Sequence, residues 1–234
     1  MIPLHDDNPT RHLPYVTIGL IGLCCAVYLW QLAAPGPEAE RQVYRFGLIP
    51  SVLLGEKSLP VRLDPLAPEL TVLTSMFLHG GLLHLAGNML YLWIFGNNVE
   101  DALGPLRFTV FYLLTGTVAA LAQTLSAPHS TIPMIGASGA ISGILGAYLV
   151  LHPRANVLVL IWLGVFSQLV RVPAFIVLGV YLLLQVVNAA TAQAGQGGVA
   201  WFAHLGGFIA GLVLIKPFAI GRPPALGRRR GPWD

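Results

Sequence analysis

The chain alternates between long apolar runs and short polar breaks. The runs cover residues 15–32, 82–99, 108–125, 138–152, 172–189 and 199–215. A membrane-crossing helix needs about 20 mostly apolar residues, so these six are read as spans. Residues 33–80 behave differently. They hold Pro35, Pro37, Pro50, Pro60, Pro65 and Pro68, with apolar patches at 46–49 and 52–54. This segment is too broken to span and too apolar to float free, so it is expected in the interface as short helices. The stretch 157–166 is apolar but short, and reads as an interfacial or re-entrant piece. The predicted architecture is an all-α polytopic membrane protein. A cytoplasmic segment, 1–14, precedes a membrane domain over 15–219, and a basic tail over 220–234 follows.

Composition sharpens this. Of 234 residues, 55% are hydrophobic and only 10% charged, against about 25% charged in a soluble domain. Too few charges exist to coat a water-facing surface, so the lipid bilayer is the solvent. No cleavable signal peptide is evident, and the first run is kept as an anchor. Cys24 and Cys25 are adjacent, which disfavours pairing with each other and gives no disulfide framework. The net charge of +3 does not indicate nucleic acid, because Lys216, Arg222, Arg228, Arg229 and Arg230 gather in the tail, as a lipid-facing cytoplasmic end requires. Arg11, Arg107, Arg154 and Arg171 fall on the same side as that tail, whereas Arg41, Arg45, Lys57 and Arg62 fall in the first loop. The positive-inside rule therefore puts both termini in the cytoplasm. The expected location is a prokaryotic plasma membrane.

Candidate chemistry lies in the spans. Ser138 stands in Gly136-Ala137-Ser138-Gly139 and His204 in Ala203-His204-Leu205-Gly206-Gly207, yet no Asp or Glu occurs between Ala102 and Trp233. Gly139, Gly143 and Gly146 share a face of the fourth span. Gly207 and Gly211, with Ala203 and Ala210, make a similar face on the sixth. Small faces let membrane helices approach closely, and His204 projects from its face, so packing would bring it toward Ser138. Ser138 also begins a helix, where unpaired N–H groups favour a developing anion. On the second span His84 and Asn88 lie four apart, with Tyr91 and Phe95 continuing the stripe. They are possible donors to an oxyanion, and His79 is a third polar neighbour. Each residue alone has a plain packing explanation. The His79–His84 spacing, and the lack of a carboxylate near His204, argue against a metal site. No phosphate loop is present.

Taken together, the His79–His84–Asn88 run, Gly136-Ala137-Ser138-Gly139, and Ala203-His204 followed by Gly207 and Gly211 resemble the rhomboid family of intramembrane serine proteases. The resemblance covers roughly residues 79–211. It implies a six-helix rhomboid-like bundle, Ser138 as nucleophile and His204 as general base. It also implies an oxyanion hole from His84, Asn88 and the Ser138 N–H, no cofactor, and transmembrane proteins as substrates. The sequence departs from the family's pattern in two ways. Leu70 and Thr71 stand where many members carry a Trp-Arg pair. Ser142 stands where some carry a tyrosine that stacks on the base.

Without a carboxylate, His204 must be oriented by packing and by neighbours such as Ser142. The Gly/Gln-rich stretch 191–198 is read as a lid that admits substrate past the fifth span. The competing readings are a catalytically inactive adaptor or chaperone for membrane helices, and a small transporter.

Overall fold

The structure is a computed structural model and describes residues 1–63, 65–163, 166–191 and 199–222. The tail from 223 and most of the expected lid, 192–198, lie outside the described residues. The elements begin with strand β1 (Ile2–Asp6) and helix α1 (Tyr15–Ala33). The first loop carries α2 (Gly36–Phe46), α3 (Pro50–Leu53), a 3-10 turn (Val61–Leu63) and α4 (Pro68–Thr74). Then come α5 (Leu82–Tyr91), a π turn (Leu92–Gly96) and α6 (Asn97–Leu103), followed by α7 (Pro105–Ser126) and α8 (Ser138–Leu151). Strands β2 (Asn156–Leu163) and β3 (Phe166–Pro173) lead to α9 (Ala174–Thr191) and α10 (Trp201–Ala219).

Among the described residues, α1, α7, α9 and α10 are long and apolar enough to cross a membrane. Their outer faces carry exposed Leu23, Leu29, Val110, Leu121, Leu183, Val187, Ile209 and Val213, a surface suited to lipid. The expected second span is longer than the apolar run indicated. The junction residues Leu92, Gly96 and Asn97 keep right-handed helical geometry, so 82–103 is one helical run with a π turn inside it. Gly104, at φ 77°, ends that run, and Pro105 starts α7. Glycine tolerates the left-handed turn, and proline suits a first helical position.

The short α8 is the centre of the bundle. Every residue from Gly139 to Tyr148 is buried. Its glycines explain how neighbours approach so closely. A Cβ added at Gly207 would collide with the Gly139 carbonyl, one at Gly211 with the Gly143 carbonyl, and one at Gly146 with the Phe208 carbonyl. Thus α8 and α10 pack backbone to backbone, as their small faces require. On the other side a Cβ at Gly139 would fall 2.7 Å from the Ala119 Cβ of α7. Gly139 is therefore level with Ala119, and α7 continues to Ser126. At 1.5 Å per residue, the start of α8 is recessed about 10 Å below that end of α7.

The stretch 157–166, expected as an interfacial or re-entrant piece, carries strand where it is described. Residues 157–163 form most of β2 in a three-stranded antiparallel sheet of order β1-β2-β3, so the otherwise helical fold carries a small sheet. Val157 pairs with Val172 and Val159 with Val170. The β-branched side chains suit a pleated, packed surface, and Val157 and Val159 are fully buried. Pairing in a sheet satisfies a backbone that is too short to do so as a spanning helix. The polar N-terminal segment supplies the edge strand, where Pro3 is tolerated.

The N-terminal segment is fastened beside that sheet. The Asp6 carboxylate accepts hydrogen bonds from the Tyr148 hydroxyl (2.6 Å) and the Asn98 amide (2.9 Å). Helix α1 has no side-chain cap of its own. Buried Glu100 supplies one, accepting from the N–H groups of Val16 (2.9 Å) and Thr17 (2.8 Å) and from the Thr17 hydroxyl (2.8 Å). At the opposite end, Gln31 pairs with both backbone groups of His79. Leu48 and Met134 exchange backbone bonds there, and Ser51 N–H donates to Ser130 O. These ties fix the first loop to α1 and to the loop before α8. The Thr71 hydroxyl, at one departing position, donates within its own turn to Pro68 O, and Leu70 is exposed.

Candidate active site

Three helices start at the recessed level and bring polar groups together. Ser138 is the first residue of α8, and His204 is in the first turn of α10. The Ser138 Oγ and His204 Nε2 atoms are 2.8 Å apart, a hydrogen bond across 66 residues of sequence. His204 is 8% exposed, with the Trp201 ring edge-on at 6.1 Å. The start of α10 is itself held by α7, where the Gln123 side-chain oxygen accepts from Ala203 N–H.

The backbone before Ser138 has an enforced shape. Gly136 sits at φ 129°, where side chains rarely fit, and its N–H donates to Ser75 O at 2.8 Å. A Cβ there would lie 2.8 Å from His84 Cε1, 2.9 Å from His84 Nε2 and 3.7 Å from Ser138 Oγ. The exposed His84 imidazole and the Ser138 hydroxyl therefore flank the same glycine. The first bond inside α8 is Ile141 N–H to Ala137 O, so the Ser138 N–H precedes the bonded turns and points out of the helix start. Asn88, one turn beyond His84, is buried, and its side-chain amide nitrogen has no partner among the described residues. His79 stacks edge-on against His84 at 5.2 Å and bonds Phe77 O through Nδ1. Its Nε2 likewise lacks a partner among the described residues.

The Ser142 hydroxyl, expected among the neighbours that orient His204, engages other groups. It donates back to Ser138 O at 2.8 Å and shares a 2.6 Å bond with the Tyr181 hydroxyl. A serine one turn inside a helix satisfies itself on the preceding carbonyl, and Tyr181 takes its other side. The partner of His204 Nδ1 is Gln185, at 2.8 Å. Tyr181 and Gln185 come from α9 and were missed in the sequence. The available signal was their four-residue spacing in a mostly apolar span, since polar residues there face the bundle interior. Gly207 and Gly211 face the Gly139 and Gly143 carbonyls and belong to the helix packing.

A hydroxyl hydrogen-bonded to an imidazole at a helix start is an arrangement capable of nucleophilic attack and oxyanion stabilisation. The family model of the rhomboid domain matches residues 69–219. The chain is 28% identical to mitochondrial rhomboid protein 1 of Saccharomyces cerevisiae over 86% of its length and 53% of that protein's. It is 30% identical to the chloroplastic rhomboid-like protein 11 of Arabidopsis thaliana over 61% of its length and 50% of that protein's. It is 32% identical to the rhomboid protease GluP of Bacillus subtilis over 68% of its length and 28% of that protein's. The chain thus spans about half or less of the length of these relatives, which come from organelles and from a bacterium alike. With its apolar spans and a matched region covering most of its length, the chain is an integral membrane protein of the rhomboid family.

Proposed function

We propose that the chain is an intramembrane serine endopeptidase that hydrolyses peptide bonds in or near transmembrane segments of other proteins. The observation that carries this reading is the 2.8 Å bond between Ser138 and His204 at the recessed start of α8. In the first step His204 Nε2 takes the hydroxyl proton while Ser138 Oγ bonds to the substrate carbonyl carbon. The oxyanion forms beside the Ser138 N–H, His84 and the unpartnered Asn88 amide, which supply donors without reorganisation. The imidazolium then gives its proton to the leaving amine, and an acyl-enzyme remains. Water, activated by the same imidazole, attacks the ester and regenerates Ser138. The polar cluster of His79, His84, Asn88 and Ser138 is the feature that supports water at this depth.

Ser138 faces the first-loop end of the bundle. The sheet, Arg11, Arg107, Arg154, Arg171 and Lys216 gather at the other end. That asymmetry supports cytoplasmic termini and a site open to the opposite side, with one membrane domain over residues 15–219. The test is cleavage of transmembrane substrates in proteoliposomes. Wild type should cut, and Ser138→Ala should insert and fold yet cut nothing. Undiminished cleavage by Ser138→Ala would overturn the assignment.

A further inference from the structure

We propose that Gln185 is a positioning residue that holds His204 in the tautomer able to accept the Ser138 proton. This rests on the protease reading of the same site. A neutral imidazole has one N–H and one lone pair. The hydroxyl of Ser138 needs the lone pair on Nε2, which places the hydrogen on Nδ1. The atom facing Nδ1, at 2.8 Å, is the side-chain oxygen of Gln185. A carbonyl oxygen only accepts, so this contact selects the required tautomer. When His204 gains its second proton, Nδ1–H keeps the same acceptor, and the amide dipole faces the new positive charge.

The placement of Gln185 fits this task. It is 6% exposed and lies on the inward stripe of α9 with Ala174, Val177, Leu178 and Ala189. Its outward neighbours Leu183, Leu184, Val186 and Val187 are exposed and apolar. A polar side chain inside such a span is expensive unless partnered, and the His204 bond is the partner. The position is one that a carboxylate occupies in a three-residue serine hydrolase site. An amide orients the ring there without adding a second buried charge. The titratable groups around His204 are His84 from α5 and, through Ser142, Tyr181 from α9. From α7 the nearby polar group is the neutral Gln123 amide.

The experiment compares wild type, Gln185→Leu and Gln185→Glu in one proteoliposome preparation. Leucine keeps the volume and removes the acceptor; glutamate keeps an acceptor and adds charge. The readouts are fluorophosphonate labelling rate at Ser138 from acid to alkaline pH, kcat and KM for a transmembrane substrate, and thermal stability. Gln185→Leu should label and turn over about 10- to 100-fold more slowly, with KM and stability held. Gln185→Glu should recover rate relative to leucine, and its acid limb should move to higher pH, because a carboxylate raises the imidazole basicity. Wild-type kcat and pH profile in Gln185→Leu would overturn the proposal. So would equal losses in both variants with no shift of the limb. Absence of Ser138 labelling in wild type is a separate result, and would remove the dyad itself along with this role.

Discussion

The backbone contact between α8 and α10 makes a remote glycine a control on the site. Consider Gly207→Ala, three residues past His204. The new Cβ would collide with the Gly139 carbonyl, standing 3.0 Å from its carbon, where ordinary contact begins at 3.4 Å. Gly139 follows Ser138 directly, so the obstacle is rigid backbone and the helices must part. A parting of about 1 Å is the scale set by one methyl group in a close-packed interior. Transmitted one turn along α10, that would stretch the 2.8 Å Ser138–His204 bond beyond hydrogen-bonding range. Overpacking of this kind costs about 1–3 kcal/mol of stability, and a misplacement of about 1 Å costs on the order of 100-fold in rate. The assay is cleavage per folded molecule in proteoliposomes, with thermal unfolding measured in parallel. Gly22→Ala on α1 is the control, because nothing lies within 4 Å of its added Cβ. That variant should keep wild-type kcat and gain up to about 1 kcal/mol from helix propensity. Wild-type kcat in Gly207→Ala would refute the link between glycine packing and the dyad.

Other outcomes follow from neighbouring features. Gly136→Ala should remove nearly all activity, since φ 129° and the His84 ring both exclude a side chain; the check is cleavage together with retention of the folded state. Glu100→Ala should destabilise by about 2–3 kcal/mol through loss of charge-assisted bonds to the start of α1, while activity per folded molecule stays near wild type. Burial raises the Asp6 carboxyl above its ordinary value, although the Tyr148 bond opposes this. The folded state therefore holds its proton to higher pH than the unfolded chain does. Stability should fall as pH rises from the ordinary carboxylate value through the raised one, and Asp6→Asn should flatten that slope in thermal unfolding.

The site was more legible in the sequence than the sheet. Glycines at 139, 207 and 211 carry a spacing that only close helix packing uses, so the approach of His204 to Ser138 followed from pattern alone. Val157 and Val159 carried no such mark, because an apolar run hides the alternation that separates strand from short helix. The partner strand Ile2–Asp6 lies about 150 residues away and looks polar, and long-range pairing leaves little local trace. Gln185 was overlooked for a related reason. Ser142, one turn from Ser138, is the polar neighbour that spacing offers to His204, whereas the group that faces Nδ1 comes from a different helix. Ser142 turned to its own backbone and to Tyr181, a choice that depends on where α9 docks. The Leu70–Thr71 departure reads the same way: the first loop is tied down by Gln31, Leu48 and Ser51, and none of these belongs to the motif run.

The central claim is that Ser138, activated by His204, forms the covalent intermediate. Its most direct measurement is the mass of the protein after reaction with a fluorophosphonate in membranes, with the modified residue located by peptide sequencing. A single adduct on Ser138, lost in His204→Ala although that protein stays folded, is the predicted result. An adduct on another residue, or equal labelling of Ser138 in His204→Ala, would contradict the account.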